Sequence, residues 1–147
     1  LFPEEQKVKA VAEAFVDPFE YLYQLNKEGN FNKNFKSSLG SVFYQVPCHL
    51  KVQSIGLKTQ DILEMIPETK VTSIERCSGH DGTYGVKKEF RQSSVKIGKP
   101  VAQKLDQKNY DQFTSDCPMA GAQIESISTN EVSYAHPMTL LRRAYEI

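Results

Sequence analysis

The sequence predicts an α/β protein with a parallel sheet of about four strands, flanked by helices and preceded by a short N-terminal helical segment. From Gly40 onward, short β-branched or aromatic runs alternate with longer stretches of helical periodicity. Strands that alternate with helices form a parallel sheet covered by helices. Connections between parallel strands are right-handed, so the carboxyl ends of all strands meet at one edge of the sheet.

Residues 1–40 are predicted to form an N-terminal helical segment that packs on the main α/β domain, residues 41–147. A first helix is predicted over 3–16 from four apolar residues at helical spacing: Val8, Val11, Ala12 and Phe15. A second helix is predicted to begin at Pro18, because Asp17 can cap it and proline suits the first helical position.

Four strand–turn–helix units are predicted after this segment, with strands over 41–46, 70–75, 110–115 and 132–135. The helix after the first strand is expected to run unbroken to Pro67. The helix after the second strand is expected to open at 83–86 and to break at Gly98 and Pro100, since glycine and proline both disfavour a helix interior.

The composition excludes several classes of function. Lys and Arg together number 18, as do Asp and Glu, so no net field favours nucleic acid or an anionic membrane. No apolar run approaches the roughly 20 residues that span a bilayer. Leu1 in place of methionine, without a signal peptide, indicates a fragment or a processed chain. An odd count of 3 cysteines argues against a disulfide framework and favours a reducing, cytoplasmic location.

The three cysteines occupy equivalent positions. Cys48, Cys77 and Cys117 each follow a predicted strand and precede a predicted helix, so we expect all three at one edge of the sheet. A single free cysteine often only fills space in a core. Three thiolates at one edge instead predict a soft metal site, suited to zinc, copper(I) or iron–sulfur.

A tetrahedral metal site needs a fourth ligand. His80 is the first candidate, since it lies in the same turn as one of the cysteines. His136 is the second, although a residue before proline at a helix start also serves as a cap. His49 is expected to point away from its cysteine neighbour, and Asp81 and Asp116 are candidates for orienting the ligands by hydrogen bonds.

Two other functions, dinucleotide binding and catalysis by a thiol nucleophile, are less well supported by the sequence. The glycines at 79, 82 and 85 do not form the dinucleotide-binding pattern, and no acid follows the next strand in a ribose-binding position. Cys77 with His80 could act as an activated nucleophile at a helix N-terminus, as in a thiol enzyme without metal. That hypothesis leaves the other two cysteines unexplained.

Four motifs follow one another in the chain: Pro47-Cys48-His49-Leu50, the stretch 75–82 with Cys77-Ser78-Gly79-His80, Asp116-Cys117-Pro118-Met119-Ala120, and His136-Pro137. On these motifs the chain resembles the cysteine-rich CCG domain over residues from about 41 to the C-terminus. This domain occurs in heterodisulfide reductase (in its subunit designated B), in the iron–sulfur subunit of anaerobic glycerol-3-phosphate dehydrogenase (the subunit designated C) and in related lactate and glycolate oxidase subunits. The sequence of the second motif is most similar to that of the glycerol-3-phosphate dehydrogenase subunits.

The chain departs from the full family motif, which has five cysteines. Ser78 stands at the second cysteine of the pair and Ala120 at the second cysteine of the last motif. The resemblance therefore implies a simpler site, formed by Cys48, Cys77 and Cys117 with His80 or an external ligand.

The resemblance implies an iron–sulfur cluster of the 4Fe-4S type, with zinc as the alternative metal, and an electron-transfer role in an oxidoreductase. The expected partner is a dehydrogenase subunit or a ferredoxin-like module, with membrane association only through that partner. A non-redox structural metal-binding or interaction domain with a degenerate motif is the alternative. Whether the chain is itself an enzyme is left open.

Overall fold

A computed structural model of the chain describes residues 5–82 and 85–147. The chain divides into two compact units, Leu1–Asn32 and Lys33–Ile147. The first unit is helical, and the second contains the sheet and the three cysteines. The boundary that we predict near residue 40 stays a prediction.

The first unit contains α1 (Gln6–Ala14) and α2 (Pro18–Lys27). The predicted cap is confirmed, because the Asp17 carboxylate accepts hydrogen bonds from the backbone N–H groups of Phe19 (2.9 Å) and Glu20 (3.2 Å). Phe19 of this helix is buried. The apolar face of the first helix is instead exposed at its three largest residues: Val8, Val11 and Phe15.

The second unit is built on a three-stranded parallel sheet with the order β2–β1–β3. Its strands are β1 (Ser41–Gln45), β2 (Lys70–Ile74) and β3 (Gln112–Thr114). The α/β class and the parallel sheet are confirmed, and each strand lies inside its predicted range. β1 is the central strand, and residues 42–45 are all buried, as a strand with neighbours on both sides requires.

The predicted fourth strand is wrong. In the region 132–135 the structure has an isolated parallel bridge between Tyr134 and Phe113. The Ala135 N–H donates to the Phe113 carbonyl (2.9 Å), and the Thr114 hydroxyl donates to the Ala135 carbonyl (2.7 Å). A side-chain hydroxyl therefore replaces the next backbone bond of the ladder. The segment lies along β3 without becoming a strand.

The helix predicted to run from Cys48 to Pro67 is interrupted. It forms two short helices, α3 (Cys48–Val52) and α4 (Lys58–Leu63). Between them, Ser54 and Gly56 have positive φ angles of 57° and 80°, which a right-handed helix does not contain. The chain thus turns within a stretch whose helical periodicity alone predicts a continuous helix.

The expected break in the next helix is also wrong. A 3-10 helix (Lys88–Phe90) leads into α5 (Arg91–Asp106), which continues through Gly98 and Pro100. A Cβ atom at Gly98 would clash with the Ser78 carbonyl oxygen, so the helix needs a residue without a side chain at this point. The expected helix start at 83–86 partly lies outside the described residues; Gly85 and Val86 form a turn, and helical structure begins at Lys88.

The chain ends with α6 (Pro118–Glu125) and α7 (Pro137–Tyr145). α5 and α6 contribute to one hydrophobic cluster with the strands: Phe43, Val101, Ala102, Leu105, Phe113 and Ile124. α4 contacts both α7 and β2. The sheet is thereby held between helices while its carboxyl edge carries the cysteine loops. Among the helices of the described residues, none has the length and apolar character to cross a membrane.

Candidate metal centre

Each strand of the sheet places one cysteine at its carboxyl edge. Cys48, Cys77 and Cys117 each stand three residues beyond the last residue of β1, β2 and β3. Because Gln45 pairs with Ile74 in the ladder, the first two cysteines leave the sheet at the same level. The predicted placement of all three at one edge is confirmed.

The thiols of Cys48 and Cys77 are close enough for Cys77 to influence the pKa of Cys48. Partial burial raises the pKa of the Cys48 thiol, and the neighbouring Cys77 and Asp81 raise it further because each disfavours a second negative charge. Both cysteines are exposed. The backbone N–H of Gly79 donates to the Cys77 sulfur (3.4 Å). Two thiols are therefore available to one external ligand.

Cys117 lies in the third loop, next to Tyr134. Its backbone N–H donates to the Ser115 hydroxyl (3.3 Å), and the Tyr134 hydroxyl donates to the Ser115 carbonyl (3.0 Å). Burial raises the pKa of Tyr134 to about 12, and the charges of Cys117 and Asp116 add to this shift. The phenol thus stays protonated beside the thiol at neutral pH.

The side chains do not converge on one point as they stand. Within residues 5–82 and 85–147, no group of three or more His, Cys, Asp or Glu side chains is arranged to hold a metal ion. The structure pairs Cys48 with Cys77 and leaves Cys117 apart from them on the adjacent loop. The chemistry of the donors fits a soft metal, and the three thiols would have to approach one another to hold it together.

The three histidines have different surroundings. The Nε2 atom of His80 is buried and has no hydrogen-bond partner among the described residues. The Nδ1 atom of His136 accepts a hydrogen bond from the Met138 N–H (3.2 Å) and caps α7, so the capping alternative is confirmed. His49 is exposed on α3. Of the three, His80 alone presents a buried nitrogen without a partner in the described structure.

Asp116 fixes the loop of Cys117 to neighbouring elements. Its carboxylate accepts hydrogen bonds from the hydroxyls of Tyr44 (2.6 Å) and Thr59 (2.7 Å). Tyr44 belongs to β1 and Thr59 to α4, and both are buried. The carboxylate therefore ties β1, α4 and the third cysteine loop together.

The loop of Cys77 is anchored on α5 through its backbone. The Ser94 hydroxyl donates to the Gly79 carbonyl (2.7 Å) and accepts from the Gln123 amide (2.7 Å). Arg91 in turn donates to the Gln123 side-chain oxygen (2.8 Å). A chain of polar side chains from α5 and α6 thus holds this loop in place.

Sequence reasoning missed Gln45, the residue that links the loops. Its side-chain amide donates to the carbonyls of Val46 (2.8 Å) and Arg76 (2.9 Å), and its oxygen accepts from the Ser115 hydroxyl (2.8 Å). Gln45 is 1% exposed. A buried glutamine at the end of an apolar strand was the available signal, because such a group is expected to be hydrogen-bonded.

Comparison with known proteins relates the chain to a dehydrogenase subunit. The chain is 36% identical over 104 residues to the anaerobic glycerol-3-phosphate dehydrogenase subunit designated C of Escherichia coli (strain K12), and it matches the same subunit of Escherichia coli O157:H7 equally. The chain is homologous to this subunit. The alignment covers 70% of this chain and 26% of the subunit, so the chain spans about a quarter of the curated relatives it matches. No family model and no solved structure matches the chain.

Homology to the glycerol-3-phosphate dehydrogenase subunit confirms the expected resemblance at this level, and the iron–sulfur character stays a prediction. The two positions where the CCG motif lacks its cysteines are both buried: Ser78 is 4% exposed and Ala120 is 5% exposed. Ser78 accepts a hydrogen bond from the His80 N–H (3.3 Å), and Ala120 lies in α6. Both positions are filled by small side chains within the packed structure.

Proposed function

We propose that this chain is an iron–sulfur binding domain of an electron-transfer oxidoreductase subunit. The observation that carries the proposal is the side-by-side placement of Cys48 and Cys77 at the carboxyl edge of a parallel sheet, where open α/β sheets bind ligands. Homology to a dehydrogenase subunit supports the oxidoreductase role. The proposed ligands are Cys48, Cys77, Cys117 and His80.

Cys117 is the third thiolate in this proposal. Its loop leaves β3 next to the loop of Cys48, since β1 and β3 are neighbours in the sheet. Ser115 fixes the Cys117 backbone, while the thiol itself is partly exposed. The Cys117 thiol would have to approach Cys48 and Cys77 to complete a three-thiolate set.

His80 is the proposed fourth ligand. A buried polar atom without a hydrogen bond is costly, so the Nε2 atom of His80 has reason to find a partner. The Ser78 hydroxyl and the backbone of the Cys77 loop hold its residue in the same turn as Cys77. A metal ion would satisfy the imidazole nitrogen and explain its burial.

Thiolates are soft ligands that suit iron–sulfur clusters and zinc. A 4Fe-4S cluster, the proposed cofactor, supplies one-electron transfer when bound. The protein contributes ligands at a partly exposed edge and N–H donors such as Gly79 near sulfur, and hydrogen bonds of this kind tune the potential of a cluster. The proposed partner is a dehydrogenase subunit or a ferredoxin-like module, in the cytoplasm, with any membrane contact made through that partner.

The second candidate function is a structural zinc site without redox activity. It is favoured by Ser78 and Ala120, which occupy two of the five cysteine positions of the CCG motif. Three thiolates and one imidazole match the ligand set of a closed structural zinc site. Such a domain would hold a partner in place and carry no electrons.

Anaerobic purification followed by metal analysis and electron paramagnetic resonance distinguishes the iron–sulfur function from the structural zinc site. Bound iron and sulfide, visible absorption and a resonance signal after reduction are expected for the proposed function. Colourless protein with stoichiometric zinc would establish the alternative. Protein with neither metal, even after anaerobic reconstitution, would overturn both.

Single substitutions test the ligand set. Cys48→Ser, Cys77→Ser and Cys117→Ser should each lose most of the bound metal, because a thiolate ligand is gone. His80→Ala should lower the metal content, while His49→Ala, which removes an exposed histidine, serves as the matched control. Equal metal content in the His80→Ala and His49→Ala proteins would remove His80 from the ligand set.

A further inference from the structure

We propose that Gln45 is a positioning residue that sets the relative placement of the three cysteine loops. The inference rests on the proposed function for its metal readout, and a second readout needs no metal. Gln45 is the last residue of β1, the central strand, so its side chain is level with the point where all three loops leave the sheet.

The contacts of Gln45 reach each loop close to its cysteine. Its amide group donates to Val46, two residues before Cys48, and to Arg76, adjacent to Cys77. Its oxygen accepts from Ser115, two residues before Cys117. The amide thus uses both N–H donors and its oxygen within one buried cluster.

Ser115 extends the connection to the backbone of Cys117. Its hydroxyl donates to Gln45 (2.8 Å) and accepts from the Cys117 N–H (3.3 Å). Ser115 is fully buried, and so is its hydrogen bond to the amide. Gln45 therefore acts on Cys48 and Cys77 through adjacent carbonyls, and on Cys117 through Ser115.

Neither a carboxylate nor an apolar side chain at position 45 reproduces these contacts. Two backbone carbonyls require two N–H donors, and a serine hydroxyl requires an acceptor; the glutamine amide supplies both. A carboxylate at this position would face two carbonyl oxygens without a donor. An apolar side chain would leave the carbonyls of Val46 and Arg76 without these bonds.

Three variants separate this role from a general loss of stability. Gln45→Met keeps a long unbranched side chain without polar atoms, and Ser115→Ala removes the connection to Cys117 alone. Thr114→Val is the matched control: Thr114 is also fully buried at the end of β3, and its hydroxyl bonds the Ala135 carbonyl (2.7 Å) and not Gln45. Circular dichroism and thermal melting check that each variant folds.

The first readout uses phenylarsine oxide, a reagent that bridges two neighbouring thiols, on the reduced, metal-free protein. Wild type should bind it through Cys48 and Cys77. Gln45→Met should bind it less tightly, because the two loops lose their shared donor. Ser115→Ala and Thr114→Val should bind it like wild type.

The second readout is the affinity for Zn²⁺, measured by competition with a chromophoric chelator. Gln45→Met and Ser115→Ala should each weaken binding about 10- to 100-fold, the usual effect of losing a group that orients ligands. Thr114→Val should bind Zn²⁺ like wild type. A Gln45→Met protein that matches Thr114→Val in both readouts would overturn the inference.

The two readouts also separate this inference from the proposed function. A wild-type protein that binds neither Zn²⁺ nor iron would refute the metal site, while phenylarsine oxide would still test the placement of Cys48 and Cys77. Should Gln45→Met fail to fold, Ser115→Ala decides: unchanged Zn²⁺ affinity in that variant would overturn the connection from Gln45 to Cys117.

Discussion

Gly98 of α5 lies directly against the backbone of Ser78 in the loop of Cys77. A Cβ atom on Gly98 would clash with the Ser78 carbonyl oxygen, and a Cβ atom on Gly79 would clash with the Ser94 carbonyl of the same helix. Gly79 also has a φ of 80°, which disfavours any other residue. The loop and the helix therefore meet backbone to backbone, and each contributes a glycine to the contact.

The substitution Gly98→Ala should destabilise the protein by about 1–3 kcal/mol, the usual cost of inserting atoms into a packed site. The helical propensity of alanine is better than that of glycine, so propensity alone would predict the opposite sign. Chemical denaturation measures the difference. Lys99→Ala, at the next and exposed position of α5, should stay within about 0.5 kcal/mol of wild type.

The same substitution should disturb the Cys77 loop. Because Gly98 touches Ser78, any shift that accommodates the new methyl group moves the residue after Cys77. Phenylarsine oxide binding by the metal-free protein should weaken in Gly98→Ala and remain unchanged in Lys99→Ala. An equally stable Gly98→Ala protein with unaltered binding would show that the contact is not tight.

A second prediction concerns the carboxylate of Asp116. Asp116→Asn should cost about 1–3 kcal/mol, because hydrogen bonds to a charged acceptor contribute more than neutral ones and the Tyr44 and Thr59 donors are buried. The double-mutant cycle with Tyr44→Phe should give a coupling energy of about 0.5–3 kcal/mol, as expected for residues in contact.

Asp61→Asn provides the control for Asp116, since Asp61 is an acid of α4 outside this pair of hydrogen bonds. Combined with Tyr44→Phe, it should give additive free energies of unfolding. A coupling energy between Tyr44 and Asp116 no larger than this control would contradict the importance of their contact.

A third prediction concerns the reactivity of the Cys48 thiol. Its pKa is raised by burial and by Cys77, so alkylation of Cys48 by iodoacetamide should require a higher pH than alkylation of an ordinary thiol. Cys77→Ala should shift the pH profile of Cys48 downward, because the neighbouring thiol that raises the Cys48 pKa is lost. Cys117→Ala should leave it unchanged, since Cys117 does not contribute to this shift. Mass spectrometry of the reduced, metal-free protein measures each rate.

The strands and the cysteine edge could be predicted because their signals are local and topological. β-branched and aromatic runs define β1 and β2. The parallel direction of the strands then brings Cys48, Cys77 and Cys117 to one edge whatever the details of packing. A cap such as Asp17 is predictable for the same reason, since it depends on residues next to each other in the chain.

The errors arise where tertiary contacts overrule local preference. Gly98 and Pro100 disfavour a helix locally, but α5 continues through both, and the glycine is required by the close contact with the Ser78 backbone. The segment at Tyr134 is a good strand by composition, but Thr114 uses its hydroxyl to bond Ala135. Gln45 was missed because a polar residue in an apolar strand has no periodic signal, and its partners are distant in sequence.

A fourth prediction concerns the opposite edge of the sheet, where Asp111 joins the start of β3 to Ser41 of β1. The Asp111 carboxylate accepts hydrogen bonds from the Ser41 hydroxyl (2.6 Å) and the Ser41 N–H (2.8 Å). These bonds lower the pKa of Asp111 below its ordinary value of 3.8, the hydroxyl having the larger effect. The carboxylate is exposed, so its contribution to stability is also sensitive to salt.

The sign of the pH dependence follows from this lowered pKa. The folded protein holds the ionised form of Asp111 more tightly than the unfolded chain, so the stabilisation is fully present above pH 3.8 and is lost as the pH falls through the folded value. Asp111→Asn should therefore lower the melting temperature at neutral pH, and the difference from wild type should shrink below pH 3.8. Glu131→Gln, at an exposed acid outside this contact, should show no such convergence. A wild-type advantage that persists undiminished in acid would mean that the Ser41–Asp111 contact does not depend on charge.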